Sequence, residues 1–269
     1  MGFSFVLAIP EFWFCDFLLD EVQEFLAGPQ QQTLNEVNGD CLRTISTAEA
    51  MLHRCHEMQQ RIGTMRETRG DGSAPALCRA LEDLTLGRSL LYEALLLSNT
   101  AGQKARVLAV AHLAKALEGF RAAGDTTHTP RGLLTRAWLR WSEHDAEGAR
   151  SDLDEARQMA ERGSMRLHMA DIHLQRARLF FREKTYPWTS PRADLVEARQ
   201  FIKSCGYWRR EKALDEAERV ILALCRMCYR LKSPLIPEFW RNTSLSAATS
   251  LADGGARGVL EASRGLGLA

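Results

Sequence analysis

The sequence predicts an all-α fold, an α-solenoid of antiparallel helix pairs containing about nine helices. Glycine and proline cluster at a few places and leave long stretches free, the punctuation expected of helices joined by short loops. Strand patterns are nearly absent. Helical apolar stripes also recur at a period of about 40 residues, which marks a repeat architecture. With 269 residues, 45% of them hydrophobic, the chain can bury a core of ordinary size in one domain or one elongated array. A globular helical bundle is the structural alternative, because four helix pairs are few enough to close on themselves.

The first element follows from the most apolar stretch, residues 3–19 (FSFVLAIPEFWFCDFLL). No Lys or Arg precedes it, and Pro10, Glu11 and Asp16 interrupt it, so it is too short and too broken to cross about 30 Å of hydrocarbon. It reads as a buried, strand-like lead-in followed by a buried helix from Glu11 to Ala27, stopped by Gly28 and Pro29. No membrane role is expected. A second helix spans residues 40–61 with Asp40 as its N-cap, and 63–75 (GTMRETRGDGSAP) reads as a polar loop. The next helix, 76–98, carries Leu84, Gly87, Leu91 and Ala94 on one stripe. Helices follow over residues 103–123, 131–142, 146–162, 165–184, 192–204 and 207–231, each bounded by Gly, Pro, Asp or Thr. In the 165–184 helix, Leu167, Ala170, Leu174, Ala177 and Phe181 rebuild the same seam.

Comparison between helices exposes the repeat. Leu113 and Ala116, Leu153 and Ala156, and Leu195 and Ala198 are equivalent pairs. The string Asp152-Leu153 followed by Glu155-Ala156-Arg157-Gln158 is echoed by Asp194-Leu195 with Glu197-Ala198-Arg199-Gln200. Ile45 and Ala48 carry the same signature upstream. The organisation is therefore four hairpins, about 11–62, 76–123, 131–163 and 165–205, and a closing helix at 207–231. Residues 232–269, beginning with Pro234 and Pro237 and rich in Ser, Ala and Gly, are expected to form a poorly ordered tail. Stacking such pairs with a constant rotation produces a concave inner surface.

The segments AHLAKALEGFRAAGD at 111–125, ARSDLDEARQMAERGSMRLHMADIHLQRARLFF at 149–181 and RADLVEARQFIKSCGYWRR at 192–210 resemble tetratricopeptide-like repeats. They are most similar to the carboxy-terminal repeat arrays of large bacterial STAND-type signalling NTPases. The resemblance implies a helical array that receives a signal or holds a partner, normally behind a nucleotide-binding switch domain. The spacing here is longer than the roughly 34 residues of a standard tetratricopeptide unit. At the small-residue position opening the second helix, Ala109 and Ala149 fit and Pro191 does not. No phosphate loop of the form GxxxxGK(S/T) occurs, so NTPase activity does not carry over. The expectation is a stand-alone or truncated sensor array without its own NTPase domain.

Charge composition excludes other classes. Lys and Arg number 35 against 34 Asp and Glu, interleaved along the chain, which argues against a nucleic-acid partner. Seven scattered cysteines suit free thiols and a cytoplasmic location. Cys225 and Cys228 form a C-x-x-C on the apolar side of the closing helix, where core packing is the simpler role. His53, Cys55 and His56 do not share one helix face. No metal, no cofactor and no catalytic residue is expected, since elbow, HExxH and dinucleotide motifs are all missing.

The expected partner is a protein or a peptide, held in the concave groove; a regulator gated by a small peptide or metabolite in an enclosed pocket is the alternative. Oligomeric state is not legible in the sequence. Trp138 and Trp141, at i, i+3 and near Arg131, can form an aromatic and cationic anchor or simply join the core. His168, Asp171 and Arg178, with Gln175 between, make a polar ridge that either lines the groove or is a solvated face. This is also the sole cluster that a hydrolase reading could use, and His173 falls on another face. Arg209 and Arg210, after Gly206-Tyr207-Trp208, resemble a GY-x-RR element of the repeat family. Two cations opening a helix oppose its dipole and call for a carboxylate such as Glu211, or for a ligand.

Overall fold

The computed structural model describes residues 3–27, 41–69 and 74–230, with side chains placed over 12–27, 46–69 and 74–221. The expected tail at 232–269 and the side chains of Cys225 and Cys228 lie outside the described residues. The described chain is all helical, with nine α-helices: α1 Phe3–Ala27, α2 Cys41–Arg69, α3 Ala76–Leu96, α4 Thr100–Ala122, α5 Thr129–Ser142, α6 Ala146–Arg162, α7 Arg166–Phe180, α8 Pro191–Cys205 and α9 Glu211–Arg230. A single 3₁₀ turn, Trp208–Arg210, precedes α9.

Local chemistry sets several boundaries. The Asn99 side chain accepts from the amides of Ala101 and Gly102, Asp145 from Gly148 and Ser190 from Ala193, so α4, α6 and α8 each begin on a side-chain cap. Gly206 ends α8 at φ 66°, a left-handed position that favours glycine. Three expectations are corrected. The strand-like lead-in is helical, because α1 runs unbroken from Phe3 through Pro10. The polar loop at 63–75 is shorter, because α2 continues to Arg69: Arg66 bonds Glu82 and Asp83 at 3.0 Å each, and Arg69 Nη2 bonds Glu82 at 2.9 Å. The 165–184 helix stops at Phe180, and Leu167 at its start is 47% exposed, outside the seam assigned to it.

Consecutive helices pack most extensively, α3 on α4, α5 on α6 and α7 on α8, while α3 also meets α5, α5 meets α7 and α7 meets α9. The helix α1 departs from chain order, resting more on α3 than on α2 and reaching α9. The stripe Phe12, Cys15, Leu19, Val22 and Leu26 seats it, all buried. One core cluster extends from α1 to α7, and a second joins α7, α8 and α9 through Leu174, Leu195, Leu214 and Ile221. The repeat residues Leu113, Ala116, Leu153, Ala156, Leu195 and Ala198 are all buried in these cores.

The residue before each repeat leucine is a polar brace. Asp152 accepts from Arg136 at 2.6 and 2.9 Å and from Arg140 at 2.9 Å, and Asp194 lies 2.6 Å from His173 Nδ1. At the first repeat the polarity reverses, with His112 paired to Asp83 at 2.7 Å. Tyr186 also donates to Asp194. Nearby, Arg176 and Trp188 share Asp154, and the Arg176 guanidinium sits 4.2 Å above the Trp188 ring. His173, unpaired with Asp171 as its position on the helix predicts, therefore works as a brace between α7 and α8.

Candidate functional site: a buried arginine cluster around α1

The side of α1 next to its apolar stripe carries Asp16, Asp20 and Gln23 at i, i+4 and i+7, which places three polar groups in one row. Asp16 and Asp20 are 1% and 3% exposed, so leaving water is costly for both unless cations meet them. Four arginines do. Arg88 of α3, itself buried, pairs with Asp16 and reaches Asp20 at 3.3 Å. Arg131 of α5 bridges the same two carboxylates, 2.7 Å to Asp16 and 3.1 Å to Asp20. Arg210 donates to Asp20 at 3.2 Å and to Asp171 of α7 at 2.8 Å. Arg209 stands 2.9 Å from the other Asp20 oxygen.

Two tyrosines close the network. Tyr92 donates to Gln23 at 3.2 Å and receives Arg88 at 3.4 Å, and Tyr207 donates to Asp171 at 3.3 Å. Burial pushes the Asp20 pKa up, but Arg210, Arg131, Arg88 and Arg209 outweigh it and hold the carboxyl down at about 2. For Arg210 burial likewise works against the charge, and Asp171 and Asp20 overcome it, raising the guanidinium further. Burial raises both the Tyr92 and the Tyr207 hydroxyl. The cluster sets Arg88, Arg131, Arg209 and Arg210 against Asp16, Asp20 and Asp171, which leaves positive charge in excess. It is suited to holding carboxylates, and it already holds three, two of them from α1.

Of the residues singled out from sequence, Arg131, Asp171, Arg209 and Arg210 meet in this cluster. The carboxylates answering Arg209 and Arg210 are Asp20 and Asp171, in place of the expected Glu211. Trp138, Trp141 and Arg178 line the neighbouring cleft between α1, α5, α7 and α9. Both tryptophans are half-buried, neither fully in the core nor fully exposed, and Trp138 packs 5.6 Å from the Tyr92 ring. His168 stands apart, its Nε2 3.0 Å from the Thr127 carbonyl and its pKa lowered by burial. The polar ridge is thus divided: Asp171 joins the cluster, Gln175 donates to the Leu134 carbonyl and Arg178 to the Ala213 carbonyl.

Asp16, Asp20 and Arg88 escaped the sequence reading. Part of their signal was present, since Asp16 and Asp20 adjoin the apolar stripe of Cys15, Leu19 and Val22 at i, i+4, and a charge on a buried face needs a partner. Among the described residues no group of three or more His, Cys, Asp or Glu is placed to hold a metal ion, and no helix is long and apolar enough to cross a membrane. Cys55 is buried in the core seam of α2, while His53 and His56 are exposed, His56 lying 3.4 Å from Glu93. Comparisons with protein-family models, curated proteins and solved structures find no match to this chain.

Proposed function

We propose that the chain is a protein-interaction scaffold, a tetratricopeptide-like α-solenoid whose arginine-lined face recognises an acidic helix or peptide of a partner. One observation carries this reading: α1, a helix from the chain's own start, lays Asp16 and Asp20 against Arg88, Arg131, Arg209 and Arg210. A face that binds one acidic, apolar helix in cis has the chemistry to bind another in trans. Contacts of α3 with α5, α5 with α7 and α7 with α9 support a stacked inner layer, the arrangement in which a solenoid presents a concave surface. The resemblance to the repeat arrays of STAND-type signalling NTPases points to a signalling partner, and the thiols Cys55 and Cys78, buried in the core without a disulfide, fit work in the cytoplasm.

The test uses a fluorescent peptide of residues 11–27 and its Asp16→Asn, Asp20→Asn version. Wild-type protein, whose face is filled, is expected to take up neither. The Asp16→Asn, Asp20→Asn protein, with α1 loosened, should bind the acidic peptide at micromolar affinity and the Asn peptide at least about tenfold more weakly. Asp20→Asn alone is the milder variant if the double substitution unfolds. Equal binding of the two peptides, or none by either folded variant, would sink the proposal.

A further inference from the structure

The cleft beside the arginine cluster has a composition of its own. Trp138 and Trp141 of α5, Phe181 after α7, Ile221 of α9 and Leu26 of α1 supply apolar and aromatic walls around a cavity of about 170 Å³. Within this wall stands Arg178. Its Nη2 donates to the Ala213 carbonyl at 2.7 Å, while its Nε is buried with no hydrogen-bond partner. Among the described residues no carboxylate lies within ion-pair distance of it and none lines the cleft. Arg182, exposed beside Phe181, adds a second cation there, also without an ion-pair partner among the described residues. The carboxylates felt by Arg178 at longer range are Glu24, Asp171 and Glu216. Glu216 is engaged by Arg219 at 2.7 Å and Asp171 by Arg210.

A buried guanidinium donor without an acceptor is costly, and such groups are ordinarily satisfied by a partner. Here burial and the nearby Arg210 charge lower the Arg178 pKa to about 10 although Glu24, Asp171 and Glu216 partly offset them at longer range, so an anion in contact would supply the close partner that these carboxylates do not. The walls specify the rest of the ligand. Flat aromatic faces and aliphatic side chains favour one ring system, and the size of the cleft suits a small molecule. We propose that this cleft is a binding site for a small aromatic carboxylate, its ring between Trp138, Trp141 and Phe181 and its carboxylate on Arg178. Gln23, Leu26 and Ala27 of α1 form one wall. A bound ligand therefore ties α1 to α5, α7 and α9. The site stands apart from the protein-partner reading, because it does not require α1 to leave.

The probe is indole-3-acetate, compared with its uncharged amide indole-3-acetamide and with the cation tryptamine, each followed by calorimetry and by thermal unfolding of the full chain. The acetate is expected to bind saturably and raise the melting temperature, the amide to bind about tenfold or more weakly, and tryptamine not at all. Arg178→Gln removes the charge, its amide reaching no further than the Arg178 Nε, and should weaken acetate binding by about tenfold or more, bringing acetate and amide to similar affinities. Because the charge series is run on wild-type protein, a variant that failed to fold would not blunt the test. Equal affinity for acetate and amide, or no saturable acetate binding up to about 10 mM, overturns the assignment.

Discussion

Asp20 shows how one residue is made to carry charge in a place that should reject it. At 3% exposure a lone carboxylate would take up a proton, yet four guanidiniums keep it ionised, with a pKa of about 2 against an ordinary 3.8. The sign of the pH effect follows. A folded-state pKa below the unfolded one stabilises the fold fully above about pH 5, and that stabilisation is lost as pH falls through 4 toward 2. The shift corresponds to about 2 kcal/mol at roughly 1.4 kcal/mol per pKa unit. Asp20→Asn is therefore expected to lower stability at neutral pH and to flatten the acid limb, losing about 2 kcal/mol less than wild type between about pH 5 and pH 2. Urea denaturation at stepped pH reads both effects, and parallel acid limbs for the two proteins would refute the assignment. The cationic half of this site was partly legible in sequence, because Arg209 and Arg210 open a helix against its dipole and so demand an acceptor. That the acceptor is Asp20, 190 residues earlier than Arg210, was beyond any local pattern.

At the scale of elements, helices were readable where their ends are chemical and misread where their ends are tertiary. The start of α6 follows from Asp145 alone, since the cap lies in the sequence, and Gly163, a poor helix former, marks where it ends. The last turns of α2 look like a loop by composition, yet they are helical through Arg66 and Arg69, whose partners sit on α3. The small-residue stripes set how closely helices approach. A methyl group at Gly119 of α4 would lie 2.8 Å from Ala80 Cβ and 3.5 Å from its Cα on α3, with no flexible side chain able to yield. At Gly63, inside α2, the same methyl group meets nothing within 4 Å. Gly119→Ala is expected to destabilise by about 1–3 kcal/mol, overpacking outweighing the helix propensity gained. Gly63→Ala should be neutral or stabilise by up to about 1 kcal/mol. Thermal unfolding of the two variants checks the contrast, and similar shifts in the same direction would contradict the close α3–α4 approach.

For the whole molecule, the decisive feature is that α1 is not confined to its neighbours in sequence. Where contacts run mainly between adjacent elements, stability is close to a sum of neighbour terms and the ends can unfold separately. Asp20 breaks that locality by bonding residues 68, 111 and 190 positions away on α3, on α5 and ahead of α9. The apolar stripe of α1 packs it against α3, and its carboxylates both hold it there and extend the connection to Arg209 and Arg210, just ahead of α9. Wild-type protein is therefore expected to unfold in a single transition in urea, with α3 and α9 sharing one opening free energy by hydrogen exchange. Neutralising the strap should separate them. In the Asp16→Asn, Asp20→Asn protein, α8 and α9 should open at lower denaturant than α3 and α4, and the overall transition should broaden. The second core cluster, among α7, α8 and α9, then behaves as its own cooperative unit. If the folded variant keeps one sharp transition and equal exchange at both ends, the helical cores alone supply the coupling and the carboxylates of α1 serve only to dock it.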